Sequence, residues 1–326
     1  MKRSLANRRY LYDLLGMLIL GLILMSLGFT IDGTFYLTVL IFSAIHAIAA
    51  IGLCLLLGYA GQVSLGQAAF FGIGAYTTAN IVQKLGLDPA IGIAASAFLS
   101  WLIGLLIARP LLRLEANYLA MATLAFGMVA YILFTQARYL TGGLDPGIVE
   151  LPRFAPFGIL LTTTKAMYWV CAAALLLTVL LSLNLINSRV GRALRALHSG
   201  EVAAAGLGVN VVHYKTMVFA FAAGMTGVAG ALYAHFIRSF NAAAFGFGLS
   251  IELLMMVIVG SLSTIWGAVF GAAALTILPN LLEGFDEIKT FAYGAVMTII
   301  ILFMPNGLAE GIFTGALRGW RRAVSQ

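Results

Sequence analysis

The chain has 326 residues, of which 62% are hydrophobic and only 10% are charged, and its net charge is +7. A soluble domain carries charge on about a quarter of its residues, so this composition excludes an ordinary soluble domain. The apolar residues come in runs of about 20, the length that a helix needs to cross the hydrocarbon core of a bilayer. The composition predicts an all-α, polytopic helical membrane protein, with residues 1–326 forming one transmembrane domain.

We predict about ten membrane-spanning helices from these runs. In chain order they cover residues 11–27, 35–57, 66–82, 91–107, 118–134, 167–186, 216–236, 251–259, 266–282 and 290–303. The eighth segment is too short to cross a bilayer by itself. The first segment follows a basic start, as in a secretory signal, but no small-residue cleavage site follows it. We therefore predict that it is retained as a helix.

The basic residues mark one face of the predicted bundle. If the amino terminus is cytosolic, thirteen of the nineteen Lys and Arg residues lie on the inner face. They are Lys2, Arg3, Arg8, Arg9, Arg109, Arg113, Arg189, Arg192, Arg195, Lys215, Arg318, Arg321 and Arg322. The outer face then carries the acids Asp32, Asp88, Asp145, Glu150, Glu283, Asp286 and Glu287. This positive-inside pattern predicts an inner-membrane protein with both termini and the loop 187–215 in the cytosol, and it explains the net charge without nucleic acid as a partner.

The chain carries none of the common signatures of catalysis. It has no G-x-x-x-x-G-K-[ST] loop for nucleotide phosphates, no H-E-x-x-H motif and no cysteine cluster for a metal. Its four histidines stand in no catalytic spacing with carboxylates; they are His46, His198, His213 and His235. We therefore predict no catalytic residue, no metal site and no cofactor bound by this chain.

Residues 187–215, which we call the central loop, are a compact basic segment among apolar runs. The first part of the loop predicts a short helix that turns Leu194 and Leu197 to one face and Arg192 and Arg195 elsewhere. This pattern indicates a helix with one face against the protein.

A second short helix is predicted after a break in the central loop. Ser199 is expected to cap it, Glu201 lies in its first turn, and Gly206 and Gly208 end it. Residues 203–205 are all alanine, which gives this helix a small face that the backbone of another protein could approach closely. The alternative is a plain connector whose arginines only satisfy the positive-inside rule.

Several blocks of the sequence resemble one transporter family, in that family's order. They are GYAGQVSLGQAAFFGIGAYT (58–77), RLEANYLAMATLAFG (113–127), TGG (141–143), GRALRALHSGEVAAAGLGVNVVHYK (191–215), LSIELLMMVIVGSLSTIWGAVFGA (249–272) and MPNGL (304–308). Over roughly residues 35–310, the chain resembles permease subunits of bacterial ATP-binding-cassette (ABC) importers for branched-chain amino acids, of the LivM type.

The resemblance implies both a function and a set of partners. The chain would be the permease subunit of an ATP-driven importer for branched-chain or other hydrophobic amino acids, surrounded by membrane lipid. Its partners would be a LivH-like second permease, two ATPase subunits of the LivG and LivF type that bind ATP and Mg²⁺, and a periplasmic binding protein. The Pro- and Gly-rich outer loop 135–165 is the predicted docking surface for the binding protein, and the alternative is a disordered connector. The coupling loop for the ATPases would contain Gly191, Arg192, Arg195, Glu201, Ala203, Ala204, Gly206 and Gly208.

Four positions depart from the family's pattern. Gln67 stands where a histidine is expected, Asn117 where a glycine is usual and Met128 where an acid is common. Ser261 replaces the second glycine of a pair. These differences leave the substrate open, and an ABC permease for urea, amides or aromatic acids is the main alternative.

The glycine-rich segment 58–76 predicts an interrupted helix, because each glycine in a helix costs about 1 kcal/mol relative to alanine. Interrupted helices at membrane depth survive where they are packed in protein or line a wet cavity. Gln62, Ser64 and Gln67 are predicted to face the translocation path or the second permease. The alternative is that the glycines allow tight packing and the polar groups satisfy freed backbone.

Glu252 is the acid closest to an apolar run. One interpretation is a carboxylate at a helix start, stabilised by the helix dipole near the outer boundary. The sharper hypothesis is that Glu252 helps the ammonium group of the substrate to enter. An ion-coupled secondary transporter would need more buried acids than this one, and a channel or structural subunit would not need an ATPase-docking loop.

Two glycine patterns predict close helix contacts, within the chain rather than between subunits. Gly267 and Gly271 form a G-x-x-x-G pair, and Gly224, Gly227 and Gly230 recur at every third position.

Overall fold

The computed structural model describes residues 2–112, 116–158, 161, 163–281, 294 and 298. Within these residues the chain is helical, and an isolated bridge between Ile148 and Phe240 is its only β pairing. The helices are α1 (Lys2–Thr30), α2 (Thr34–Cys54), α3 (Gln67–Leu85), α4 (Pro89–Leu111), α5 (Ala116–Gln136), α6 (Arg138–Thr141), α7 (Thr164–Asn187), α8 (Arg189–Ser199), α9 (Glu201–Gly206), α10 (Val211–Ile237), α11 (Phe247–Gly260) and α12 (Ile265–Leu281). Nine predicted spans coincide with helices, and all but two residues of the tenth, 290–303, lie outside the described part.

Local sequence sets several of the helix ends. Pro89 opens α4 directly after Asp88, whose carboxylate accepts a hydrogen bond from the Ala90 N–H at 2.7 Å. Asn210 caps α10 in the same way and accepts from the His213 N–H at 3.0 Å. Both caps satisfy amide groups that have no partner inside their own helix.

The buried centre of the bundle is formed by α2, α3 and α10, and α4 packs across α3 and α10. Glycines allow the closest approaches. A Cβ on Gly74 would lie 2.0 Å from the Gly227 carbonyl oxygen, and a Cβ on Gly230 would lie 1.9 Å from the Phe71 carbonyl oxygen. The internal contacts predicted for this glycine series are therefore confirmed.

The helices α11 and α12 form a sharply bent pair, with an angle of 119° between them. Their contact is lined by glycines. A Cβ on Gly260 would lie 1.9 Å from the Gly267 carbonyl oxygen, and a Cβ on Gly271 would lie 1.9 Å from the Met256 carbonyl oxygen. The close contact predicted from the G-x-x-x-G pair is confirmed.

Six helices of the described part are long and apolar enough to cross a membrane, or seven if the bent pair counts as one span. The chain is thus a multi-pass helical membrane protein. The count of ten stays a prediction, because α11 and α12 have only 14 and 17 residues.

Side-chain contacts at both ends of α7 show that α1 and α7 run antiparallel. Lys165 at the start of α7 forms an ion pair of 2.9 Å with Asp32, just after α1. At the other end of α7, the Asn187 amide donates a hydrogen bond of 3.2 Å to Asp13, inside α1. Which end faces the cytosol stays a prediction.

The described part of the 135–165 loop is built into the fold. The Ile148 N–H donates to the Phe240 carbonyl at 2.8 Å, and the Leu151 N–H donates to the Arg238 carbonyl at 2.9 Å. Because this segment pairs with the chain between α10 and α11, a free connector does not describe it.

Candidate functional site

The first helix of the central loop is packed onto the bundle. Ser188 caps α8 by accepting a hydrogen bond of 3.1 Å from the N–H two residues further on. Leu194 and Leu197 are buried at 0% and 2% exposure, whereas Arg192 and Arg195 are exposed. The predicted separation of the two leucines from the two arginines is confirmed, and α8 contacts α7, α10 and the segment that follows α2.

The second helix of the loop begins differently from the prediction. Gly200, rather than Ser199, holds the capping position before Glu201. The predicted Ser199 cap is wrong because Ser199 is the last residue of α8. Its hydroxyl donates a hydrogen bond of 3.0 Å to the Arg195 carbonyl, inside that helix.

The far end of α9 agrees with the prediction. The helix ends at Gly206, and Gly208 follows with a φ of +86°, a conformation that glycine adopts without strain. Glu201 forms an ion pair with Lys215 of α10, a residue that is only 9% exposed. This ion pair ties the start of α9 to the bundle.

Residues 201–208, which we call the loop tip, present apolar side chains to solvent. Val202 is 88% exposed and Leu207 is 85% exposed. Ala203 is exposed as well, whereas Ala204 is buried and its side chain lies away from the surface. An exposed apolar patch on a polar loop is typical of a surface that meets another protein.

An interruption, which we define as residues 58–66, lies between α2 and α3, as predicted. A π-helical segment, Leu55–Tyr59, follows α2, and non-helical chain runs from residue 61 to 66. The break is narrower than the glycine-rich segment predicted, because Gly72 and Gly74 lie inside α3. π-helical turns often occur at functional sites.

The three polar residues near the interruption are almost fully enclosed. Gln62, Ser64 and Gln67 are each 1% exposed. The Gln67 side chain accepts a hydrogen bond of 2.9 Å from the Thr226 hydroxyl and donates one of 3.5 Å to Ser64. These bonds join side chains and do not satisfy freed backbone groups, and the buried Gln62 side-chain amide has no hydrogen-bond partner among the described residues. Both the path role and its alternative stay predictions.

A cavity of about 320 Å³ opens beside the interruption. Its wall combines Leu65 near the start of α3, Gly127, Met128 and Tyr131 of α5, and Ser250 of α11. Its size lies within the range of about 300–1,000 Å³ that is usual for small-molecule sites. Sequence reasoning missed the cavity because these residues come from three distant segments; only the unusual Met128 hinted at it.

Glu252 lies in the second turn of α11 and is half-buried. The helix begins at Phe247, so the interpretation of Glu252 as a carboxylate in the first turn is wrong. Among the described residues, Glu252 forms no ion pair, unlike Asp32 and Glu201. A half-buried carboxylate in an apolar helix is typical of a residue that faces a cavity or another subunit.

Within the described residues, no three His, Cys, Asp or Glu side chains gather in a way that could hold a metal ion. The architecture is that of a multi-pass helical membrane protein, with an interrupted helix beside a cavity and a structured loop at one end.

Comparison with known proteins assigns this architecture to a family. A family model described as "Branched-chain amino acid transport system / permease component" matches residues 35–305. The permease protein LivM of Salmonella typhimurium (strain LT2) is 30% identical over 288 residues, which is 81% of this chain and 67% of that protein. LivM of Escherichia coli (strain K12) is 28% identical over 292 residues, with the same coverage. LivH of Escherichia coli (strain K12) is 25% identical over 284 residues, which is 81% of this chain and 90% of that protein. The chain belongs to the family of branched-chain amino acid transport permease components.

Proposed function

We propose that this chain is the permease subunit of an ATP-driven importer for branched-chain or other hydrophobic amino acids. As a single transmembrane domain, it forms the translocation path together with a second, LivH-like permease. ATP and Mg²⁺ bind to separate ATPase subunits, and a periplasmic binding protein delivers the substrate at the outer face. The chain lies in the inner membrane with both termini and the central loop in the cytosol, and it has no enzymatic activity of its own.

The loop tip is the observation that carries this proposal. It exposes Val202 and Leu207 almost completely, and arginines are exposed on the adjoining α8. An apolar patch with a charged surround suits docking to a soluble partner. The relatives are named permease proteins of high-affinity branched-chain amino acid transport systems, which supports a complex with further subunits.

The cavity and Glu252 support a path shared with a second permease. Charged residues in membrane helices face a bundle interior or a wet cavity, because lipid exposure costs about 2.5–3.5 kcal/mol on insertion scales. Glu252 also lies in α11, but it is two residues from Ser250 and outside the cavity wall, so it lies on a different face of the helix and supports a contact with the second permease separately from the cavity. The similarity of the chain to both LivM and LivH relatives supports a pair of related permeases.

Uptake by the whole complex tests the function. The permease pair, the ATPases and the binding protein are co-expressed, and uptake of radiolabelled leucine is measured against unlabelled competitors. We expect hydrophobic amino acids to compete and uptake to stop when the ATPases carry a hydrolysis-deficient substitution. Competition by urea, amides or aromatic acids alone would favour the alternative substrates. Uptake that survives ATPase inactivation but stops when ion gradients are dissipated would favour a secondary transporter.

Thiol labelling tests the path. Both native cysteines, Cys54 and Cys171, are buried, so an introduced cysteine dominates the signal. We expect Met128→Cys in the cavity wall to react with maleimide and to be protected by substrate, and buried Met225→Cys to stay unreactive. If the extent of labelling at Met128→Cys changes with neither substrate nor ATP, a path through this cavity is contradicted. The same experiment with cysteines at Gln62, Ser64 and Gln67 decides whether the interruption itself lines the path.

Glu252→Gln tests the ammonium hypothesis. The substitution keeps the shape of the side chain and removes its charge, so uptake is expected to fall through a higher KM. Glu150→Gln, on an exposed outer segment, is the control. Normal transport by Glu252→Gln would show that the carboxylate does not assist substrate entry.

A further inference from the structure

The interruption, residues 58–66, lies between three other elements. A Cβ on Gly58 would lie 1.8 Å from the Leu262 carbonyl oxygen, in the turn between α11 and α12. A Cβ on Gly66 would lie 2.6 Å from the Thr123 carbonyl oxygen of α5. Because both neighbours are backbone atoms, the interruption packs directly against α5 and the α11–α12 turn.

The third neighbour is α8 of the central loop. Gly61 has a φ of +66°, and a Cβ at this position would lie 3.2 Å from Nδ1 of His198. His198 is the second-to-last residue of α8 and directly follows the buried Leu197. The His198 ring therefore lies beside the interruption, next to the one described glycine of this segment whose backbone is left-handed.

The interruption also contributes to the cavity wall. Leu65 lines the cavity four residues after Gly61, and its N–H donates a hydrogen bond of 3.1 Å to the Thr123 hydroxyl. Ala68, in the first turn of α3, lines the cavity as well, and its N–H donates to the Ser250 hydroxyl at 3.0 Å. A short non-helical stretch thus connects the α8 contact to side chains of the cavity wall. Such a chain stretches little, because consecutive Cα atoms stay about 3.8 Å apart.

We infer that the contact between His198 and Gly61 passes a displacement of α8 to the interruption, in addition to the packing of Leu194 and Leu197 on the bundle. His198 acts as a positioning residue: it presses on the interruption, which carries the displacement to Leu65 and to α5 at the cavity. This inference rests on the proposed function, since a partner must move α8. Such coupling requires contacts that differ between two states of the protein, and the exposed His198 ring can provide them.

The test measures the coupling ratio, defined as substrate imported per ATP hydrolysed, in vesicles that contain the assembled complex and the binding protein. His198→Ala removes the ring, and we expect the ratio to fall by about fivefold or more, the lower end of coupling factors between linked sites. ATP hydrolysis and co-purification of the ATPases should stay at the wild-type level. His198→Phe restores a ring of similar size and should restore the ratio.

Two control variants separate transmission from general damage. His213→Ala changes another exposed histidine, whose ring meets that of Tyr214 edge to face in α10, and should leave the ratio unchanged. Gly61→Asn and Gly86→Asn place the same residue at φ values of +66° and +62°, which asparagine tolerates. A Cβ at Gly86 would meet nothing within 4 Å, so only Gly61→Asn should lower the ratio.

Three results would overturn the inference about His198, and a fourth would overturn the proposed function. A wild-type ratio in His198→Ala, or an equal loss in His198→Ala and His213→Ala, overturns the inference. Loss of the ATPases from His198→Ala complexes also overturns it, because His198 would then be a docking residue. A wild-type complex that imports nothing when ATP is supplied overturns the proposed function instead.

Discussion

The two helices of the central loop are held by different means. Helix α8 buries Leu194 and Leu197 against the bundle, whereas α9 exposes Val202 and Leu207 and is tied down by the Glu201–Lys215 ion pair. Apolar burial resists displacement more strongly than a half-exposed ion pair does. A partner can therefore adjust to α9 at low free-energy cost, but it cannot shift α8 without shifting the bundle.

The largest expected effect on the free energy of unfolding comes from shortening a buried leucine side chain of α8. Leu194→Ala should lower the free energy of unfolding by about 2–5 kcal/mol, because it leaves a cavity in a packed site. Leu207→Ala is the matched control and should change it by less than about 0.5 kcal/mol. Thermal unfolding of the purified permease in detergent checks both. Equal shifts in Tm would show that the two helices are not held differently.

Gly191 tests how closely α8 approaches the chain before it. A Cβ at this position would lie 2.0 Å from the Ile186 carbonyl oxygen, so Gly191→Ala forces the backbone apart. We expect a loss of about 1–3 kcal/mol, the usual cost of overpacking. Gly206→Ala in α9 meets nothing within 4 Å and should be neutral or stabilising. If Gly191→Ala unfolds at the wild-type temperature, α8 is not fixed at this point.

Glu201→Gln probes the link that holds α9. The substitution removes the charged partner of Lys215, and amide hydrogen exchange over residues 201–208 should become about tenfold faster, which corresponds to about 1.4 kcal/mol. Asp32→Asn breaks the Lys165 ion pair, whose two side chains are 38% and 85% exposed, and should change local exchange much less. Unchanged exchange in the loop tip of Glu201→Gln would mean that something other than this ion pair orders α9.

Leu207→Ala combines the smallest expected effect on stability with a clear expected effect on binding of the ATPase subunits. Leu207→Ala removes an exposed apolar side chain of the loop tip, and we expect its affinity for the ATPase subunits to fall about tenfold. Titrated pull-down of the ATPases by the permease pair measures this. His213→Ala, outside the loop tip, should bind them normally. Wild-type affinity in Leu207→Ala would place the docking surface elsewhere on the central loop.

Patterns that depend on neighbouring residues were predictable from the sequence. The apolar runs located nine helices, the leucine spacing identified the buried face of α8, and Gly206 and Gly208 marked the end of α9. Patterns that depend on distant residues were not. Ser199 looked like a cap because nothing local indicates that α8 extends to include it.

At the candidate site, too, the sequence predicted local features but not contacts between distant residues. Gln67 could be placed beside a helix break from its glycine neighbours, but its partner Thr226 lies on α10, far along the chain. The cavity likewise joins side chains of α3, α5 and α11. Such contacts follow from packing between helices, which the periodicity of one segment does not encode.

The bend between α11 and α12 has a consequence for membrane sidedness. An angle of 119° exceeds a right angle, so α12 points back toward the side from which α11 comes. If the pair crosses the bilayer twice or dips into it and returns, the number of crossings is even; if the pair is one broken span, the number is odd. Reporter fusions placed before α11, near residue 240, and at the end of α12, near residue 280, distinguish the two arrangements, and we expect both fusions to report the same compartment.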